Sequence, residues 1–253
     1  MTSSVNRLLE PQRRAIVVGA SSGLGAALVR RLASEGYRVA AVARRETELA
    51  ALRDGVGSDR VFPYVHDVTE FEQVPLIFNQ ITRDLGGLDL IIYGAAVQPP
   101  VAPHEYDFAK DEAMLRTNLM GAVAWLNQAA IRFERGRAGH IVGISSIAGD
   151  RGRVGSPVYN TSKAGLNTYL EALRNRLSRY GVTVTTIKPG FIDTELLKNA
   201  PKTFWVISPD EAAARVSDAI HRRAQVTYIP PRWRFIGLTV RAIPSAIFRR
   251  LNF

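Results

Sequence analysis

The chain has 253 residues, 46% of them hydrophobic and 22% charged, so it can build a sizeable core and is not a disordered polymer. It has no cysteine, which excludes disulfides, zinc–thiolate sites and thiol nucleophiles and fits a reducing compartment such as the cytoplasm. The net charge of +10 gathers late: after Asp218 there are seven arginines, at 222, 223, 232, 234, 241, 249 and 250, and no acidic side chain.

Residues 1–12 read as a lead-in without the apolar run of a signal peptide, and no segment has the ~18 apolar residues of a membrane-spanning helix. From residue 13 onward, apolar runs alternate with segments of helical period. Strands are expected at 15–18, 37–42, 61–65, 88–92, 140–144, 182–187 and 226–229. Helices are expected at 25–34, from 46, at 70–84, 107–133 and 157–179, and from Ser208, where a serine cap, a proline and two acids mark a start. Strands apolar throughout and separated by helices imply a parallel sheet covered on both faces. The fold class is therefore α/β: a doubly wound (Rossmann) sheet of about seven strands in a single domain over 13–230. Residues 231–253 form a basic, aromatic extension.

The first strand runs into Gly19-Ala-Ser21-Ser22-Gly23-Leu24-Gly25. Glycines let a backbone turn sharply and approach a ligand, and the helix that follows aims its free N–H groups at a pyrophosphate. The same residues match G-x-S-x-G, the serine-hydrolase elbow, with Ser21 as nucleophile. That elbow belongs on a central strand preceded by others, and here nothing precedes it. The second strand ends in Arg44-Arg45. An acid at this edge would meet a ribose 2′-hydroxyl, whereas arginine accommodates a 2′-phosphate. Two cations opening a helix are otherwise misplaced, so NADP(H) is the expected cofactor.

Tyr159 and Lys163 stand four apart and share a helix face. A free phenol titrates at about 10, too high for efficient proton exchange at neutral pH, and a nearby cation draws it down. Ser145 and Ser146 follow the fifth strand, at the sheet edge where ligands of such folds bind. The four histidines, 66, 104, 140 and 221, have no metal-ligand spacing, and no metal is expected.

With these residues in place, the chain resembles the short-chain dehydrogenase/reductase family, in the branch of about this length. The resemblance covers residues 14 to about 230. It rests on Gly19, Gly23 and Gly25, Asp67-Val68, Asn118, Ser146 thirteen residues before Tyr159, Lys163, and Pro189-Gly190 with Thr194. It implies that Tyr159 is the general acid/base, that Ser146 holds the substrate oxygen and that Lys163 bonds the nicotinamide ribose and tunes Tyr159. It further implies that Asn118 supports a water-linked proton relay, that Asp67 and Val68 contact the adenine side, and that Thr194 with the backbone of Ile192 positions the nicotinamide amide. Gly94, Pro189 and Gly190 complete the cofactor set, and Arg44, helped by Arg45, meets the 2′-phosphate. The chain departs from the family pattern at Val18, at Tyr93-Gly94-Ala95-Ala96 and at Gly143. Tyr93 reads as core filling.

The expected activity is NADPH-dependent reduction of a hydrophobic ketone or aldehyde, reversible with excess secondary alcohol. A loop over 191–207, with Phe191, Leu196, Leu197, Phe204 and Trp205, offers the apolar lining. A homodimer or homotetramer is expected. The alternative is a non-catalytic NADP-binding scaffold or sensor that uses the basic tail as its surface, but such a binder has no need of Tyr159. Nucleic acid, raised only by the pI of about 10.3, finds no stacking or helix-turn-helix signature. Trp and Phe beside Arg in the tail fit either a peripheral membrane contact or a segment folded back as a lid or subunit contact.

Overall fold

A computed structural model describes residues 13–102, 104–199 and 203–251. The lead-in expected over 1–12 lies outside the described residues, as do parts of the substrate loop (200–202) and of the tail (252–253). In chain order the elements are β1 (Arg13–Val18), α1 (Gly23–Ser34), β2 (Tyr37–Ala43), α2 (Glu46–Val56), β3 (Val61–Val65), α3 (Val74–Asp84), β4 (Leu90–Tyr93), α4 (Phe108–Leu115), α5 (Gly121–Gly136), β5 (Gly139–Ile144), α6 (Pro157–Leu177), β6 (Val182–Pro189), α7 (Pro209–His221), β7 (Val226–Ile229), α8 (Trp233–Ala242) and α9 (Ser245–Phe248).

The seven strands form one parallel sheet in the order β3-β2-β1-β4-β5-β6-β7. β1 lies between β2 and β4, with Val18 opposite both Val42 and Tyr93. The sheet grows one way from β1 to β3 and the other way from β4 to β7. The crevice beyond the carboxyl ends of β1 and β4 is thus the switch point where open α/β sheets bind ligands.

The strand sequences explain the layering, since alternate side chains point to opposite faces. Ala15 and Val17 pack with α1, α2 and α7, while Ile16 and Val18 pack with α3, α5 and α6. Both sets are fully buried, which is why these strands read as unbroken apolar runs rather than alternating ones. Trp125 of α5 is among the largest fully buried side chains. Its truncation to alanine would cost about 3–5 kcal/mol.

Element boundaries differ from expectation where side chains intervene. β4 begins at Leu90 rather than 88 and runs on through Tyr93. Asp89, just before it, accepts the backbone N–H and guanidinium of Arg14. The segment expected as one helix over 107–133 is three pieces: α4, a π turn over Arg116–Met120, and α5. The Tyr93 hydroxyl donates to the carbonyl of Thr117 inside that turn, at 2.6 Å. A π turn leaves the normal i→i−4 ladder, and Tyr93 satisfies a carbonyl there. Gly121 makes the room: a Cβ at this position would come within 2.5 Å of the Tyr93 oxygen. Tyr93 therefore fills the core, as expected, and also anchors the turn that carries Asn118.

Candidate active site

A cleft of about 1490 Å³ lies across the carboxyl ends of the strands. One end is the turn from β1 to α1. Gly19 has φ +90° and Gly23 φ +52°, conformations that disfavour other residues. A Cβ on Gly19 would stand 2.5 Å from the backbone nitrogen of Ala95, and one on Gly25 would collide with the Gly19 carbonyl. The loop is therefore bare backbone, packed against the loop after β4 at Gly94 and open toward the cleft. The start of α1 has no side-chain cap, so its N–H groups face the cleft with the positive end of the helix. These residues fit the pyrophosphate of a dinucleotide.

Arg44 and Arg45 differ in position. Arg44 is exposed and ion-pairs with Asp67 at 3.5 Å. Arg45 reaches back to the glycine loop, where its Nε and Nη2 donate to Ser21 Oγ at 3.1 and 3.0 Å and Nη2 also donates to Ser22 Oγ. Glu48 and Glu195 flank it at 3.6 Å. A guanidinium cannot serve as a base, so Ser21 has no hydrolase partner in its hydrogen bonds. Burial works against the Asp67 carboxylate, yet two hydrogen bonds from Thr69 and the charge of Arg44 hold it below the usual carboxylate range. Val68 and His66 line the same end of the cleft. Burial pushes His66 down, and its ring meets Trp125 edge-on at 5.5 Å.

The centre of the cleft brings Ser146, Tyr159 and Lys163 together. Tyr159 and Lys163 lie one turn apart on α6, and the lysine nitrogen sits 5.8 Å from the centre of the phenol ring. Lys163 is 2% exposed, and its ammonium donates to the Ile144 carbonyl at 3.0 Å. Burial pushes it down to about 8. Burial raises the Tyr159 phenol, against the lowering expected from the Lys163 charge, while a hydrogen bond with Ser146 and the charge of Arg153 pull the other way. Tyr159 thus holds its proton at neutral pH and can give it to an oxygen placed between it and Ser146.

Asn118, in the π turn, is fully buried. Its Oδ1 accepts from Val97 N–H at 2.8 Å. Its Nδ2 donates to the Val97 carbonyl at 3.0 Å and to Ser162 Oγ at 3.1 Å. Ser162 in turn donates to the Tyr159 carbonyl at 2.8 Å. Asn118 therefore ties the loop after β4 to the helix that carries Tyr159 and Lys163.

The other end of the cleft is lined by Pro189, Gly190, Phe191, Ile192, Thr194, Leu196, Leu197 and Phe204. It is closed by the tail. Trp233, Ile236, Gly237 and Val240, one face of α8, line it together with Phe248. The described part of the tail thus folds back over the cleft. What seats the tail has no signal in the sequence. Trp233 packs on Gly190, where any Cβ would collide with its indole, and it joins Phe191, Phe204 and Trp205 in ring contacts at 5.1–5.7 Å. Gly237, which weakens a free helix, lets α8 approach Asp150 closely: a Cβ there would meet the Asp150 carboxylate at 2.7 Å. Arg151 donates to the carbonyls of Val240 (2.7 Å), Arg241 (3.3 Å) and Ile243 and stacks on Phe248 at 4.1 Å. It thereby satisfies the free end of α8.

An uncharacterized oxidoreductase of Myxococcus xanthus is 36% identical over 242 residues, covering 93% of this chain and 94% of that protein. One of Mycobacterium tuberculosis is 29% identical over 249 residues, covering 94% and 97%. Among solved structures, an actinorhodin polyketide ketoreductase variant with NADPH superposes with a TM-score of 0.79 at 24% identity, over 86% of this chain and 95% of that one. ElxO with NADP bound gives 0.80 at 20% identity, over 88% and 99%. Both likenesses are of fold. Residues 13–204 match the short chain dehydrogenase family, and with the fold and the relatives in agreement, this chain belongs to that family of oxidoreductases.

Proposed function

We propose that the chain is an NADPH-dependent carbonyl reductase acting on a hydrophobic ketone or aldehyde, and on the secondary alcohol in reverse. The observation that carries this reading is the meeting of Ser146, Tyr159 and Lys163 in one cleft with the glycine loop. A bound nicotinamide supplies the hydride. Ser146 holds the carbonyl oxygen and Tyr159 protonates it. Lys163 bonds the nicotinamide ribose, and Asn118 supports the return of the proton through water. Gly19, Ser21, Ser22, Gly23, Leu24 and Gly25 cradle the pyrophosphate, and Asp67 and Val68 take the adenine side. Gly94, Pro189, Gly190, Ile192 and Thr194 hold the nicotinamide end.

The preference for NADPH rests on Arg44 and Arg45, and it is supported by the NADPH and NADP named for two structures of the same fold. A homodimer or homotetramer acting in the cytoplasm completes the reading, and light scattering checks the assembly. The deciding experiment follows NADPH oxidation against a panel of short and long carbonyl compounds. Turnover lost in Tyr159→Phe supports the reading. NADPH binding without turnover of any carbonyl would replace it with the scaffold reading.

The outer face of the tail favours a peripheral membrane contact as well. No helix among the described residues is long and apolar enough to cross a membrane. Phe235, Leu238 and Ile247 are nevertheless exposed on the lid, beside exposed Arg234, Arg241, Arg249 and Arg250. Apolar groups entering the acyl boundary while cations meet lipid phosphates is how such a surface binds anionic bilayers. Co-sedimentation with anionic vesicles at low salt, lost in Phe235→Asp with Leu238→Asp, tests it. A native chain that stays in solution rules it out.

A further inference from the structure

Most cations around the cleft are already engaged by the chain, three arginines by acids, Arg151 by carbonyls and Lys163 by the Ile144 carbonyl at 3.0 Å. Arg44 faces Asp67, Arg45 faces Glu48 and Glu195, Arg116 faces Glu112 at 4.0 Å, and Arg151 is wrapped by the carbonyls ending α8. Arg153 is different. It lines the cleft with Ser146 and Tyr159, and no carboxylate lies within ion-pair distance of it among the described residues. Its Nη2 donates to Asn160 Oδ1 at 3.3 Å, while Nε is buried without an acceptor. Asn160 is itself buried and fixed, since its amide donates to the carbonyls of Arg153 (3.4 Å) and Gly155 (3.1 Å). Asp150, the acid on the same side of the cleft, is already spent on Lys188 and on the Tyr228 hydroxyl at 2.8 Å.

Burial pulls the Arg153 guanidinium below its usual range, against the Tyr159 phenol, but arginine does not give up its proton in proteins. The substrate half of the cleft therefore carries a positive charge that the chain does not neutralise. A partly buried cation left unpaired is costly, and a planar guanidinium is suited to a carboxylate.

We propose that Arg153 is the anion-binding residue of the substrate site, and that the substrate is an apolar oxo acid whose carboxylate lies on Arg153 while its carbonyl reaches Ser146 and Tyr159. This deepens the carbonyl-reductase reading and rests on it. The apolar part of the substrate lies against Phe191, Leu196, Trp233, Ile236 and Val240, residues that share the cleft with Arg153. In the reaction, the carbonyl carbon takes the hydride, the π pair moves to oxygen, and oxygen takes the Tyr159 proton, which solvent replaces. Oxo acid, NADPH and one proton become hydroxy acid and NADP, and the carboxylate is unchanged. Pairing also serves the proton donor. Alone, Arg153 draws Tyr159 toward phenolate; a bound carboxylate cancels that pull and keeps the proton on the phenol until the carbonyl accepts it.

The test is a calorimetric titration of the full chain, with and without NADP, using decanoate and the neutral decanamide. A hydrogen-bonded charge pair predicts about ten- to hundred-fold tighter binding of the acid. Arg153→Gln should bring the ratio close to one, and Arg153→Lys should keep part of it. Equal binding, or no binding of either probe to the native chain, overturns the proposal whether or not the variants fold. So does an acid preference that survives in Arg153→Gln, even if that variant shifts the pH profile of turnover on a neutral ketone, which would show Arg153 acting only through Tyr159. The titration involves no turnover. A clear acid preference in a protein that reduces no carbonyl would therefore overturn the reductase reading while leaving the anion site standing.

Discussion

The two halves of the cleft are built in opposite ways. The glycine-loop end is local: β1, the glycine loop and α1 follow one another in sequence, and a Cβ on Gly25 would collide with the carbonyl of Gly19, a few residues earlier. The substrate half is assembled from the turn after β5, the segment after β6 and the tail, and Gly190 is pressed by Trp233 from the far end of the chain. Both glycines solve the same steric problem, but Gly25 answers to a neighbour in its own loop and Gly190 to a side chain from the tail. A ligand common to a whole family can be held by a short contiguous motif, whereas a particular substrate is held by side chains gathered from distant segments.

The largest effect is expected where the halves meet. Tyr159→Phe keeps the ring and removes the proton, so turnover should fall by about 10²–10⁴-fold or more while fluorescence titration still shows NADPH bound. Undiminished reductase activity would sink the mechanism. Gly25→Ala and Trp233→Ala then separate the two ends. A methyl group forced against backbone costs roughly 1–3 kcal/mol, so Gly25→Ala should lower both thermal stability and NADPH affinity. Trp233→Ala should open the apolar end of the cleft and raise KM for long carbonyl substrates more than it weakens NADPH. If both variants lose cofactor alike, the halves are not independent.

Cofactor choice gives the next effect. A charge-assisted hydrogen bond contributes about 1.5–3 kcal/mol, so Arg44→Ala should lower NADPH affinity by about ten- to hundred-fold and NADH affinity far less. Arg45→Ala should weaken both, because Arg45 also holds Ser21 and Ser22. Equal affinity of the native protein for the two cofactors would contradict the NADP assignment.

The alkaline limb of the rate profile is a smaller effect. Burial pushes Lys163 down to about 8, so its charge is present below that pH and lost above it. Reductive kcat should decline with one proton as pH rises through about 8. Lys163→Arg, slower overall, should carry the decline to higher pH. A flat native profile up to the titration of a free lysine would argue against it. The smallest effect belongs to the lid. Arg151→Ala frees the carbonyls ending α8 and should raise KM for long substrates by only a few-fold with NADPH binding unchanged, as read by steady-state kinetics.

Much of this protein is legible in its sequence. Unbroken apolar strands such as 15–18 dictate a sheet buried on both faces, because only helices on each side can cover it. The glycine loop and the Tyr159/Lys163 pair are legible because backbone turns and i,i+4 geometry act within a few residues. Tertiary structure alone decided the rest. Tyr93 reads as core filling until its hydroxyl is seen on Thr117, and Gly237 as a weak point until Asp150 is found against it. Among several arginines that look alike in sequence, Arg45 found serines, Arg151 found the end of a helix, and Arg153 found no acid. Periodicity records which face of an element is buried. Which side chains meet across the sheet, and which charge is left for a ligand, depends on long-range packing that no local pattern carries.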